Sequence, residues 1–166
     1  MVKMKLVLIS SNDKKMGQLR KLLEPDFEVE VLKMEYPEIQ HDSSCEITRA
    51  AAKVLSERLK KMVLVEDSGL FVPALKDFPG PWTKYCHNTI GNAGILKLMR
   101  GVKNRKAYYK SAVGVCSPGK MPLCFLGMEQ GTIAMKIRGN KGWGQDPIFI
   151  PKGYRKTYGE LGCIKG

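Results

Sequence analysis

Apolar and polar positions alternate along the chain in two periods, and the switches between them predict its elements. Lys3 to Ile9 reads as a strand, and Lys15 to Leu23 has helical spacing with Met16, Leu19, Leu22 and Leu23 on its apolar side. Glu24-Pro25-Asp26 breaks that helix, and Phe27 to Leu32 alternates like a half-exposed strand. Ser43 or Ser44 is expected to cap a second helix that runs through Ala50 to Ala52, Val54, Leu55 and Leu59 to about Lys61. Next comes Val63-Leu64-Val65, a short buried strand that is expected to stop on Glu66-Asp67 and turn through Ser68-Gly69.

Beyond Phe71 the segment from Pro73 to Trp82 is too rich in proline to be regular, and Ile90 to Met99 reads as a helix ended by Gly101. Ala107 to Cys116 and Leu123 to Ile133 predict two long strands joined by a hairpin turn over Ser117-Pro118-Gly119-Lys120. Gly139, Gly142 and Gly144 then surround Trp143 in a loop that enters a short strand within Gln145 to Ile150. Strand and helix alternate in the first half, and long antiparallel strands follow in the second. That order predicts an α/β chain with a mixed, twisted sheet.

Composition narrows the picture. A chain of 166 residues without linker or repeat predicts one domain over residues 1–166, large enough to bury a core. No apolar stretch approaches membrane-spanning length, and the apolar start lacks a cleavage pattern, so a cytoplasmic protein with no membrane partner is expected. Five scattered cysteines without a C-x-x-C pair, with only His41 and His87 as histidines, exclude the usual zinc and disulfide frameworks. Reduced, mostly buried thiols are the expectation. The net charge of +12 is dispersed from end to end, as on a solvated surface or one that steers an anionic ligand, and predicts no nucleic-acid partner.

Two stretches carry candidate chemistry. Glu66 and Asp67 place two carboxylates side by side, an arrangement that calls for a cation, and a hard metal such as Mg²⁺ suits their oxygens. The same acids could equally cap the next helix or face solvent. Ser10 to Lys14 joins a strand to a helix N-terminus, where free N–H groups and the helix dipole attract anions and where Asn12 and Lys15 would add donors. Simple capping explains those residue types too.

Four loops, Ser11-Asn12-x-x-Lys15, Pro37-Glu38-Ile39-Gln40, Glu66-Asp67-Ser68-Gly69-Leu70 and Gly142-Trp143-Gly144-Gln145-Asp146-Pro147, stand in the order and spacing of the inosine triphosphate pyrophosphatase family. The chain resembles that family over nearly its whole length, including Phe78-Pro79-Gly80-Pro81, Thr89-Ile90-Gly91 and Lys156-Thr157-Tyr158. The resemblance implies an elongated mixed sheet flanked by helices, with two lobes and a central cleft. It implies Mg²⁺-dependent cleavage of inosine, deoxyinosine or xanthosine triphosphate between the α and β phosphates by a homodimer. It assigns Glu38 and Asp67 to the metal, with Asp67 as the catalytic acid-base group. Ser11, Asn12, Lys15 and Ser68 fall to substrate binding, as do Trp143, Gly144 and Asp146, with Trp143 offering a face on which a purine stacks.

Some positions depart from the family pattern. Gln18 stands where the family has an acid, Ala51 where it has a basic residue, and Gln145 where it has a second aromatic. Family members continue beyond the equivalent of Leu161 through a serine-histidine-arginine triplet that reads the purine edge, a segment not found before Gly166. The expectation is base recognition by stacking and shape with weak discrimination among purines. The alternative is a catalytically impaired or non-catalytic nucleotide-binding relative.

Overall fold

The computed structural model describes residues 2–162, so that Cys163 and the end at Gly166 lie outside the described residues. Its elements are β1 (Met4–Ser10), α1 (Asp13–Leu23), β2 (Phe27–Lys33), α2 (Ser44–Leu59), β3 (Val63–Val72), β4 (Phe78–Pro79), α3 (Thr83–Thr89), α4 (Gly91–Leu98), β5 (Lys106–Cys116), β6 (Leu123–Ile133), β7 (Phe149–Pro151) and α5 (Tyr158–Leu161). The strands form one seven-stranded sheet in the order β2-β1-β3-β5-β6-β7, with β4 added on β3. β1 is parallel to both β2 and β3, whereas β3–β4 and β6–β7 are antiparallel. The mixed α/β sheet flanked by helices is as the sequence led us to expect.

Residues pack as two compact units, 2–67 with 111–126 and 68–110 with 127–162. In the first unit the pleat of the strands decides the layers, because successive side chains point to opposite faces. Leu6, Leu8 and Leu64 pack on the α1 side with Met16 and Leu19. Val7, Ile9, Val63 and Val65 pack on the α2 side with Ala51, Ala52 and Leu55. Both faces of this part of the sheet are covered, which is why its central strands read as unbroken apolar runs.

The second unit has its own core, in which Leu70, Val72, Ile95, Met99, Ile133, Ile148 and Phe149 are buried. Thr83 joins that core to the backbone: the Leu70 amide donates to Thr83 Oγ1 at 2.8 Å, and the same hydroxyl donates to the Gly80 carbonyl at 2.7 Å. Arg105 donates to the carbonyls of Met99, Ile133 and Ala134, tying the end of α4 to the end of β6.

Three expectations need correction. β3 does not stop at the acids and turn through Ser68-Gly69, but runs on to Val72, because Leu70, Phe71 and Val72 are buried and hold it extended. Gly69 serves this strand by its lack of a side chain, since a Cβ there would collide with the Gly80 carbonyl oxygen. Thr83–Thr89 is a helix where none was expected; its residues lack the apolar periodicity that would announce one. The cysteines are not all reduced, for Cys45 at the start of α2 and Cys124 on β6 form a disulfide with Cα atoms 5.7 Å apart. A separation of 79 residues leaves no spacing signal for that pairing. Cys86 and Cys116 are free and buried.

Candidate active site

The pleat that sorts the apolar side chains in the first unit also sorts the two acids. Glu66 follows the phase of Leu64 and emerges on the α1 side, and Asp67 follows Val63 and Val65 and emerges on the α2 side. Ile9 pairs with Val65, so the acids come just where β1 gives way to the loop of Ser11 and Asn12. Each acid meets the first turn of a helix. Lys15 Nζ of α1 stands 2.6 Å from Glu66 Oε2, and on the α2 side the Ser44 hydroxyl stands against Asp67 without a hydrogen bond of normal geometry.

Glu66 is well matched. Ser111 Oγ on β5 donates to its Oε1 at 2.6 Å, and Lys15 neutralises its charge. Asp67 is not. Burial pushes its carboxyl up to about 6 from 3.8, opposed by Lys15, reinforced by the charges of Glu38 and Glu66, and eased slightly by Ser44. Its Oδ2 is buried with no hydrogen-bond partner among the described residues. A carboxylate kept in that state favours either a proton or a cation.

Glu38 is exposed on the irregular segment between β2 and α2, and its charge is felt at Asp67. Burial first, then the charges of Glu38, Asp67 and Glu66, push the Tyr36 phenol well above its usual pKa, so it keeps its proton. Among the described residues no three carboxylate, thiol or imidazole groups converge as a ready metal cage. Two oxygen-donating acids, one with an unpartnered buried oxygen, nevertheless fit Mg²⁺, which usually takes one or two carboxylates and completes its shell with water and phosphate oxygens.

Ser11 is exposed at the head of the preceding loop. Asn12 is the N-cap of α1, its Oδ1 accepting from the Lys15 amide at 3.2 Å, so capping is a role it does fill. The cap fixes the backbone of Lys15, while Glu66 fixes the side chain. Ser68 follows Asp67 along β3.

In the second unit the loop around Trp143 is tightly built. Asp146 Oδ2 accepts from the Trp143 amide at 2.8 Å, and its Oδ1 accepts from the Tyr109 hydroxyl at 3.3 Å. Gly142 has φ +75° and lies so close to the Asp146 carboxylate that a Cβ would overlap it. Asn92 Nδ2 donates to the Gly144 carbonyl at 3.0 Å, and Gln145 is buried with its amide directed at the Thr83 carbonyl. The indole of Trp143 stays 36% exposed, enough to present a flat face.

Sequence reasoning named Lys15, Glu38, Asp67, Trp143 and Asp146 but missed Ser44, Tyr36, Ser111 and Asn92. Paired serines before a helix and a tyrosine beside Glu38 were weak signals for the first two. Ser111 and Asn92 acquire meaning only through the neighbours that folding brings to them.

The Ham1 family profile matches residues 6–164. Among curated proteins, the dITP/XTP pyrophosphatase of Methanopyrus kandleri is 47% identical over 160 residues, covering 96% of this chain and 85% of that protein. The protein of the same name from Thermococcus kodakarensis is 45% identical, covering 95% and 85%. Among solved structures, a nucleoside-triphosphatase, or dITP/XTP pyrophosphatase, from Mycobacterium abscessus superposes with a TM-score of 0.80 at 28% identity, covering 95% of this chain and 89% of that one. A HAM1 protein from Coxiella burnetii shares the fold, with a TM-score of 0.83 at 24% identity and 95% and 87% coverage. With the profile spanning nearly every described residue and relatives this similar over most of their own length, the chain belongs to the Ham1 family.

Proposed function

We propose that this protein hydrolyses inosine, deoxyinosine and xanthosine triphosphates to the monophosphate and pyrophosphate, with Mg²⁺ as cofactor, and so clears non-standard purines from the nucleotide pool. The observation that carries the reading is Asp67: a buried carboxylate with an unpartnered oxygen and a pKa raised to about 6, set in a chain whose relatives are named dITP/XTP pyrophosphatases. Those relatives also favour turnover over a purely binding role.

In this reading the Ser11–Asn12 loop and Lys15 hold phosphate oxygens, with Ser68 beside Asp67 adding a hydroxyl. Glu38 and Asp67 hold the metal. The chemistry that Mg²⁺ supplies when bound is neutralisation of phosphate charge and acidification of the attacking water. Asp67 orients that water and takes its proton as the oxygen bonds to the α-phosphorus; the bridging P–O bond breaks and its electron pair leaves on pyrophosphate. Trp143 stacks on the purine, and Gly144 and Asp146 shape the loop beside it.

A homodimer is supported by the large apolar side chains that the first unit exposes on and before β6, namely Met121, Leu123, Phe125 and Leu126. No described helix is long and apolar enough to cross a membrane.

Asp67→Asn tests the assignment, because the amide keeps the shape but can neither act as base nor give a metal a full charge. Turnover of inosine triphosphate with Mg²⁺ should fall to background while the melting temperature is held or raised. Wild-type turnover in the variant would contradict the assignment.

A further inference from the structure

The neighbouring acid, Glu66, is placed to act differently. It emerges on the α1 side of the sheet, opposite in phase to Asp67, and both its oxygens are engaged, Oε1 by the Ser111 hydroxyl and Oε2 by Lys15 Nζ, each at 2.6 Å. Its side chain is only 6% exposed and that of Lys15 17%. A buried ion pair of this kind is a poor source of stability, because the desolvation of both charges offsets their attraction. What it does supply is geometry. A flexible ammonium on a four-carbon stem is held at one point by the Glu66 carboxylate.

We propose that Ser111 and Glu66 are positioning residues that set the Lys15 ammonium for a polyphosphate chain, and that Glu66 does not serve the metal. The inference rests on the functional reading above and adds the division of labour between adjacent acids. Ser111 orients Glu66 across the β3–β5 pair, Glu66 aims Lys15, and the Asn12 cap fixes the Lys15 backbone from the other end. Lys15 thus reaches its ligand already ordered, and less side-chain freedom is lost on binding.

Glu66→Gln, Ser111→Ala and Ser111→Thr, each alone, and Glu66→Gln combined with Lys15→Ala, separate this role from the alternatives. The readouts are KM and kcat for inosine triphosphate, the Mg²⁺ concentration for half-maximal rate, the Kd of inorganic tripolyphosphate measured by calorimetry in chelator, and the melting temperature. Glu66→Gln should raise both KM and the tripolyphosphate Kd by on the order of tenfold, the scale of one charge-assisted contact. The Mg²⁺ requirement should stay unchanged, and Glu66→Gln should add nothing once Lys15 is Ala. Ser111→Ala should shift KM and Kd in the same direction, and Ser111→Thr, which keeps the hydroxyl, should restore them. A lower melting temperature with unchanged KM and Kd would overturn the proposal in favour of packing. A changed Mg²⁺ requirement with unchanged tripolyphosphate binding would overturn it in favour of a metal ligand. If the wild type released no pyrophosphate from inosine triphosphate, the functional reading would fall, while tripolyphosphate binding would still decide the role of Glu66.

Discussion

Asp67 is the residue on which most of the proposed chemistry turns, and its raised pKa has a consequence for stability. The folded chain holds the proton up to about pH 6, whereas an unfolded aspartate releases it near 3.8. The native state therefore binds more protons across that window, so Asp67 contributes stability that is complete below the unfolded value and is lost as pH rises through the folded one. The loss at full ionisation is on the order of 3 kcal/mol. Urea unfolding in chelator should show Asp67→Asn gaining on the wild type between pH 4 and pH 7, and Mg²⁺ should narrow the gap at pH 7. Parallel pH profiles for the two proteins would show that Asp67 ionises without penalty. Asp67 and Lys15 were legible through the order and spacing of the four loops that resemble the family's, since capping or a solvated strand end would explain their residue types taken alone. Ser44 and Ser111 were not, because a serine means little until it is known which face of which element presents it.

At the level of elements, local signals competed with burial. Ser68-Gly69 after two acids has the chemistry of a turn, but Leu70, Phe71 and Val72 each bury their side chains only if β3 continues, and that burial prevails. The loop bearing Trp143 was legible from its glycines, whereas its fastening to Tyr109 and Asn92 was not. Asp146→Ala removes the acceptor for both the Trp143 amide and the Tyr109 hydroxyl, and should cost about 1–3 kcal/mol in chemical unfolding. It should raise KM for inosine triphosphate more than it lowers kcat; an unchanged KM would separate the loop from substrate binding. The Cys45–Cys124 disulfide ties the start of α2, next to Ser44, to β6. Cys45→Ser should lower stability by about 2–4 kcal/mol in the absence of reductant. With dithiothreitol present the wild type should fall to the level of the variant, and a difference that persists would mean that the loss comes from packing and not from the covalent link.

For the whole molecule, strand-helix alternation was enough to give the α/β class, since each switch of period marks a change of layer. The division into two compact units was hidden, because β3, β5 and β6 each contribute residues to both units and no linker or shift in composition marks the boundary. The first unit holds Lys15, Glu38, Glu66 and Asp67, and the second holds the Trp143 loop, so each brings a different part of the proposed chemistry. The central claim is that this chemistry breaks the bond between the α and β phosphates. It is tested most directly by incubating inosine triphosphate with the protein and Mg²⁺ and separating the products by ion exchange. The account predicts inosine monophosphate and pyrophosphate in equal amounts, with formation of both abolished by chelator. Inosine diphosphate with orthophosphate as the main products, or undiminished turnover in chelator, would contradict it.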